Sequence, residues 1–259
     1  MKLMAVTIVQ LSDTHLLAHP QELLRGFSTH QSLQVVLAKV QALNPDLILL
    51  TGDLAEAGET GAYQQLCHLF QAMDWNRMPA IYWLPGNHDR PHAMSALLSH
   101  PPFLAQKAAQ IGGWRLLLLD STASDHPFGA GHLSTASLDA LQGELQAHVD
   151  LPTLIALHHH PLPTGIDWLD QIGLENAEIF RARLAQFPQV KLVLFGHVHL
   201  ALHQQEEGID YYGCPSTCTQ VTPPSPVQEP HWQWPGFRWL KLHANGTHTT
   251  GVQRINAMN

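Results

Sequence analysis

Two patterns of apolar and polar residues alternate along this chain. Short, largely apolar runs occur at residues 7–11, 47–50, 81–84, 154–157 and 190–195. Runs of that length, bounded by glycine, proline or polar residues, predict strands buried on both faces. Residues 116–119, ending at Asp120, predict one more. Between the runs, apolar residues recur every third or fourth position, the spacing of an amphipathic helix. Leu33, Val36, Leu37, Val40 and Leu43 form one such set, and Tyr63, Leu66, Phe70 and Met73 a second. Leu138, Leu141 and Leu145 form a third, with Ser134 or Ser137 as its cap, and Ala177, Phe180, Leu184 and Phe187 a fourth. Strands alternating with helices predict βαβ units, a largely parallel sheet and the α/β class.

After residue 199 the pattern changes. Residues 209–212 predict a strand, and the proline-rich stretch 222–230 predicts a loop. Residues 239–243 and 247–255 flank Asn245-Gly246, a strong hairpin turn signal. The C-terminal part, about 209–259, is therefore expected to be β-rich and most simply to form a second sheet packed on the first. No repeat, heptad pattern or linker divides the chain, so a single domain over 1–259 is expected.

Composition narrows the function. The 259 residues are 45% hydrophobic and 13% charged, enough for a sizeable core. Thirteen basic against 21 acidic residues give a formal charge of −8 with no run of Lys or Arg, which excludes a nucleic-acid polymer as the expected partner. A small anionic substrate stays compatible if metal ions offset the acidity. Three cysteines, Cys67, Cys214 and Cys218, are no disulfide framework. The apolar stretch 3–11 leads straight into Asp13, so cleavage as a signal peptide would remove the first motif. No apolar run reaches membrane-spanning length. A soluble cytoplasmic protein is expected, with no membrane partner.

The chemistry lies just past the apolar runs. Asp13-Thr14-His15 follows the first and Gly52-Asp53 the second. Gly86-Asn87-His88-Asp89 follows the third, His158-His159-His160 the fourth, and Gly196-His197-Val198-His199 the fifth. Ligands past the ends of neighbouring strands converge on one sheet edge, where α/β folds place their sites. Asp13 and His15, two apart, would share a side in an extended strand end. His197 and His199 repeat that spacing and could bind one ion or face two. Seven candidate ligands, Asp13, His15, Asp53, Asn87, His158, His197 and His199, exceed what one ion needs. They suit two metals sharing a carboxylate, and so phosphoester hydrolysis. His88 is expected to face substrate, with Asp89 hydrogen-bonded to it as its orienting partner; these are the two candidate catalytic residues. His159 and His160 are expected to support the centre or lie at the surface. Of the 19 histidines, His68, His92, His126, His203, His231, His243 and His248 sit in polar contexts and read as solvated. Cys214 and Cys218 lack the second pair that a zinc site needs.

In the order D-x-H, G-D, G-N-H-D, H, G-H-x-H, these motifs resemble the calcineurin-like metallophosphoesterases over residues 6 to about 200. The segments beginning Gln10-Leu11-Ser12-Asp13, Thr51-Gly52-Asp53, Leu84-Pro85-Gly86-Asn87, Leu157-His158-His159-His160 and Pro215-Ser216-Thr217-Cys218 resemble the bacterial class III cyclic nucleotide phosphodiesterases in particular, as does Pro235-Gly236-Phe237-Arg238-Trp239. The resemblance implies a four-layer α-β-β-α sandwich. It implies one metal on Asp13, His15, Asp53 and His199 and another on Asp53, Asn87, His158 and His197, with Asp53 as bridge. It leaves Glu56 without a defined role. It implies that substrate meets His15, Asn87, His88, His158 and His199, and that a hydroxide shared by the metals opens 3′,5′-cyclic AMP to 5′-AMP. The mixed nitrogen and oxygen ligands suit Fe²⁺ or Mn²⁺, with Zn²⁺ also compatible. Another small diester, such as a 2′,3′-cyclic nucleotide or a glycerophosphodiester, is the alternative substrate. A binding module without catalysis is disfavoured, because unpaired buried carboxylates and imidazoles only cost stability. Relatives in the resembled class are often dimers, and Trp232, Trp234, Phe237 and Trp239 mark a subunit interface, a pocket wall or the chain's own core.

Overall fold

Strand β1 (Val6–Leu11) pairs in parallel with β2 (Leu47–Thr51), β2 with β3 (Ala80–Leu84), and β3 with the short β4 (Phe103–Leu104). A computed structural model describes residues 5–123, 129–223 and 231–256, and in it this parallel set makes up four strands of one of two six-stranded sheets. The second is built around parallel strands β6 (Trp114–Leu118), β7 (Thr153–Leu157), β8 (Val190–Phe195) and β10 (Ile209–Gly213). Antiparallel β5 (Ala108–Ile111) and β9 (Leu202–Glu206) edge it. His126 and residues 224–230 of the expected loop lie outside the described residues.

The central strands are largely apolar because each faces two cores. Along β2, Leu47 and Leu49 enter the layer between the sheets, while Ile48 and Leu50 enter an outer layer. Along β7, Leu154 and Ala156 face inward and Ile155 and Leu157 outward; β8 does the same with Leu192 and Leu194 against Val193 and Phe195. The outer layer of the first sheet is closed by α1 (Thr29–Leu43), α2 (Thr60–Ala72) and α3 (Pro91–Leu97). The other is closed by α4 (Thr135–Ala147) and α6 (Ala177–Leu184). The result is the four-layer α-β-β-α sandwich. Ser28 caps α1 by accepting from Gln31 N, and Ser134, the first of the two expected cap residues, caps α4 by accepting from Ser137 N.

The C-terminal part is β-rich but forms no sheet of its own. Strands β11 (Gly236–Leu242) and β12 (His248–Arg254) close the hairpin around Asn245-Gly246, and β11 pairs antiparallel with β1. The tail thus extends the first sheet and β9–β10 the second. A two-stranded hairpin is marginal alone, whereas the free edge of β1 offers a ready ladder. His248, expected to be solvated, instead has Nε2 3.2 Å from the Tyr212 hydroxyl of the other sheet. Phe237 is buried in the first outer core and Trp239 packs against it, so these two serve their own chain. Trp232 and Trp234 are half-buried, the latter stacked on His231 at 3.8 Å. Among the described residues, no helix is long and apolar enough to cross a membrane.

Candidate metal centre

Strand β1 stops at Leu11, and the chain then adopts left-handed backbone at Asp13 (φ 54°) and His15 (φ 44°). Asp53, His197 and His199 are left-handed as well, at φ 52°, 68° and 49°. The convergence of Asp13 with His15, and of His197 with His199, is therefore made by left-handed turns and not by extended strand ends. Each such residue costs on the order of 1–3 kcal/mol and persists only where its surroundings hold it. Here Asp13 N donates to Gly52 O and His15 N to Asp53 O, both at 3.0 Å, so the β1–β2 ladder continues beyond the strands. His197 N donates to both Asp13 carboxylate oxygens at 3.1 Å, which ties the two sheets together. The C-terminal loop adds a strap: Ser216 Oγ donates to Asp13 O at 2.7 Å and Thr217 N to Ser12 O at 3.1 Å.

The glycines of the motifs follow from this crowding. Gly52 sits at φ 90°, and a Cβ there would meet His158 Nδ1 and come within 2.7 Å of Gly86 N. A Cβ on Gly196 would meet Ser12 Oγ and come within 2.7 Å of Thr51 O. Both positions admit only glycine: at Gly52 the β3 loop and His158 close in, and at Gly196 the backbones of the two sheets approach each other.

All seven candidate ligands gather at this rim. His199 Nε2 lies 3.3 Å from Asp13 Oδ1 and 3.2 Å from His15 Nε2. His158 Nε2 lies 3.3 Å from Asp53 Oδ2 and 3.0 Å from Asn87 Oδ1. Asp53 Oδ2 is also 3.8 Å from His15 Nε2, so this carboxylate stands between the two sets. His197 Nε2 is buried without a hydrogen-bond partner among the described residues. The opposite nitrogens are fixed: His158 Nδ1–H donates to Thr51 O at 2.8 Å, His199 Nδ1–H to Thr219 O at 2.7 Å, and His15 Nδ1 meets Glu56 Oε2 at 2.6 Å. Each of these three imidazoles thereby presents Nε2 inward, the usual arrangement around a metal. Glu56, whose role the motifs leave undefined, is the partner of His15.

Electrostatics tests whether a cation fits. Burial pushes the Asp53 carboxyl up, but the neighbouring His158 charge, then His15 and His88, hold it well below the ordinary carboxylate range. Asp13 is likewise lowered: burial opposes, and His199 outweighs it. Burial depresses His158, yet Asp53 carries it up to about 9, and Asp13 raises His199 in the same way. Two buried carboxylates thus recruit protons on two imidazoles as their counter-charge. Burial and neighbouring histidines keep His197 well below its ordinary value, and burial drives His159 down to about 3. The centre therefore joins two buried anions to imidazole nitrogens, one of which, His197 Nε2, has no hydrogen-bond partner among the described residues. Divalent cations fit such a donor set and would displace the protons on His158 and His199.

His88 and Asp89 divide differently from the sequence expectation. His88 is exposed, and its Nδ1–H donates to Glu56 O at 2.7 Å. Asp89 makes no contact with His88. Its carboxylate accepts from Leu54 N at 3.1 Å, Ala55 N at 3.0 Å, Gly86 N at 3.0 Å and the Tyr63 hydroxyl at 2.9 Å. Asp89 is thus corrected from orienting catalytic residue to the clamp that joins the β2 and β3 loops. Burial and the Asp53 charge push it up to about 6 against those backbone donors. Asp89→Asn turns an amide toward donors that need acceptors. A loss of about 3 kcal/mol or more in folding stability is expected from urea unfolding, at the upper end for buried unsatisfied groups.

His159 and His160 are both buried. His159 is held by Ser121 Oγ at 2.8 Å and Gly129 O at 2.9 Å, supporting the centre rather than facing solvent. A cavity of about 520 Å³ opens onto His15, Asp53, Asn87, His88, His197 and His199. Arg25 and Trp168 also line it, and no sequence motif pointed to either. Of the aromatic stretch from 221 to 239, only Val221 and Thr222 reach this cavity among the described residues.

Comparison with known proteins places these features in a family. The family model for calcineurin-like phosphoesterase matches residues 6–201. The chain is similar to a 3′,5′-cyclic-nucleotide phosphodiesterase of Nostoc sp., 40% identical over 252 residues covering 96% of this chain and 92% of the relative. It is also similar to the 3′,5′-cyclic adenosine monophosphate phosphodiesterase CpdA of Escherichia coli K12, 41% identical over 256 residues, 96% of this chain and 90% of the relative. Among solved structures, a dimetal phosphatase from Danio rerio shares the fold, with a TM-score of 0.68 at 16% identity, covering 93% of each chain.

Proposed function

The chain belongs to the calcineurin-like phosphoesterase family, and we propose from that premise that it is a metal-dependent phosphodiesterase hydrolysing 3′,5′-cyclic AMP to 5′-AMP. One observation carries the reading. Two buried carboxylates, Asp13 and Asp53, lie among ligand nitrogens of His15, His158 and His199, and Asp53, His15 and His199 open from this cluster onto a cavity, in a chain with near full-length likeness to cyclic-nucleotide diesterases. Asp13, His15, Asp53 and His199 would hold one ion; Asp53, Asn87, His158 and His197 would hold the other. When bound, such ions supply charge for the phosphate oxygens and acidify water enough for hydroxide near neutral pH. The nitrogen and oxygen donors favour Mn²⁺ or Fe²⁺, with Zn²⁺ also accommodated.

The chain's own residues supply position and a proton. Asn87 and the imidazoles of His15, His158 and His199 crowd the place where the phosphate would bind. His88 reaches the same cavity. Because its Nδ1–H is committed to Glu56 O, the proton that His88 gives is the Nε2 proton of the imidazolium form, which leaves the neutral Nδ1–H ring behind. That proton goes to the 3′ oxygen as its bond to phosphorus breaks, and the 5′ ester bond stays intact.

A turnover panel under Mn²⁺ tests the function: 3′,5′-cyclic AMP, 3′,5′-cyclic GMP, 2′,3′-cyclic AMP and a glycerophosphodiester. The highest kcat/KM is expected for 3′,5′-cyclic AMP. Preference for the 2′,3′ ester or the glycerophosphodiester would overturn the substrate, and absence of both turnover and bound metal would make the chain a binding module. The three cysteines are free thiols, which suits the cytoplasm. The half-buried Trp232 and Trp234 support a homodimer, to be read by light scattering at micromolar concentration; a monomer removes that assembly.

A further inference from the structure

The cavity has two chemistries. Its floor is the Asp and His centre, while its apolar lining comes from Trp168 and Leu169 of a short helix and from Leu24, Ile172 and Val221 of loops. Trp168 stands apart from the rest of that lining. It is 55% exposed, and it is the one aromatic among the large hydrophobic side chains left exposed in the described residues. Leaving that much indole in water is unfavourable unless something covers it.

The turn that carries Trp168 is braced. It belongs to the short helix α5 (Asp167–Asp170), reached by the segment that leaves the centre at His158. The next residue, Leu169, is 1% exposed and packs into the second outer core. The Asp170 carboxylate accepts from Thr164 N at 2.7 Å, Thr164 Oγ1 at 2.6 Å and Gly165 N at 3.1 Å, closing the turn from behind. Leu174 N donates to His160 O at 3.0 Å and anchors the far end. Trp168 is thus a flat, uncovered ring on a rigid support, beside apolar Leu24 and Ile172, in the cavity that also contains the centre. The volume of about 520 Å³ lies within the range of small-ligand sites.

We propose that Trp168 is the platform on which the nucleobase of the substrate stacks, and that it separates cyclic nucleotides from base-free diesters. The inference rests on the diesterase reading above for its substrate but on the cavity wall for its residue. The floor handles phosphate alone, and every phosphodiester offers it the same group. A nucleobase adds a π-face that covers the indole and removes both surfaces from water, whereas a glycerol or ethanolamine moiety leaves the ring exposed. Base–aromatic stacking tolerates different bases, so adenine and guanine should both gain from it.

The test compares wild type, Trp168→Ala and Trp168→Phe, each loaded with Mn²⁺. Calorimetry gives dissociation constants for 5′-AMP and for ribose 5-phosphate, the same phosphate and sugar without the base. In Trp168→Ala the 5′-AMP constant should rise about tenfold, within the range that loss of one stacked base gives, while the ribose 5-phosphate constant stays put. Trp168→Phe should recover most of the loss. With 3′,5′-cyclic AMP as substrate, KM should rise by a similar factor and kcat should change much less. Equal weakening of both ligands, or no weakening of either, overturns the platform. A fall in kcat at unchanged KM does so as well. A wild type that discriminates 5′-AMP from ribose 5-phosphate through Trp168 but turns over no cyclic nucleotide supports the platform and overturns the diesterase reading instead.

Discussion

Asp53→Ala is expected to lose both metal ions and, with them, all measurable diesterase activity. The reason is the position of one carboxylate. Its Oδ2 lies 3.3 Å from His158 Nε2 and 3.8 Å from His15 Nε2, so it faces both halves of the ligand set, and its Oδ1 accepts from His88 N at 2.9 Å. Asp13 also lies within ligand-forming reach of His158, but its oxygens accept from His197 N and face His199 Nε2 at 3.3 Å, and the hydrogen bond of Asn87 Oδ1 is to His158. Removing Asp53 also takes away the main charge that raises His158, leaving an imidazole pushed toward neutrality by burial with only Asp13 to oppose it. Asp53→Asn keeps the shape and the acceptor for His88 N, so it separates loss of metal from loss of fold. Circular dichroism should show both variants folded, and elemental analysis after desalting should find metal well below two ions per chain in both. Two tightly held ions in either variant would refute the shared-ligand assignment.

The parts of this architecture that were legible in sequence are those whose physics is local. Strands β1, β2, β3, β7 and β8 face a core on each side, so their largely apolar runs can be read without knowing their neighbours. The ligand motifs were legible because each follows such a run directly. Strand β9 alternates polar residues at an edge, and β4 has only two residues, so neither carries a pattern long enough to read. The tail reads as β, but the pattern points to a separate sheet, because its true partner, β1, is more than 200 residues away and Val6 pairing with Leu242 leaves no trace in spacing. The left-handed backbone at Asp13 and His15 was also hidden, since Asp-x-His fits an extended end equally well. Asp89 shows the same limit most clearly. Adjacent to His88 in sequence, it turns away to donors on Leu54, Ala55 and Tyr63, 26 to 35 residues distant. Trp168 and Arg25 reach the cavity only through the packing of loops, and loop composition gave no signal for either.

His88→Ala is the second large effect, and it differs in kind from Asp53→Ala. Metal content should stay at the wild-type level while kcat for 3′,5′-cyclic AMP falls by a factor on the order of 10²–10⁴, the range for loss of a positioned general acid or base. The exposed ring of His88 is held by one bond, Nδ1–H to Glu56 O, and Nε2 is left for the substrate. The opposing possibility has a structural basis, because a nitrogen of His88 lies within ligand-forming reach of His15 and Asp53. The leaving group separates the two roles. The 3′ oxygen of a nucleoside is a poor leaving group and needs a proton, whereas p-nitrophenolate departs without one. If His88 supplies that proton, its loss should matter much less for bis(p-nitrophenyl) phosphate than for cyclic AMP. If it stabilises charge on the phosphoryl oxygens, both substrates should suffer alike. Loss of one ion from His88→Ala would instead make it a ligand, and the slow turnover of the variant would then follow from an incomplete metal pair.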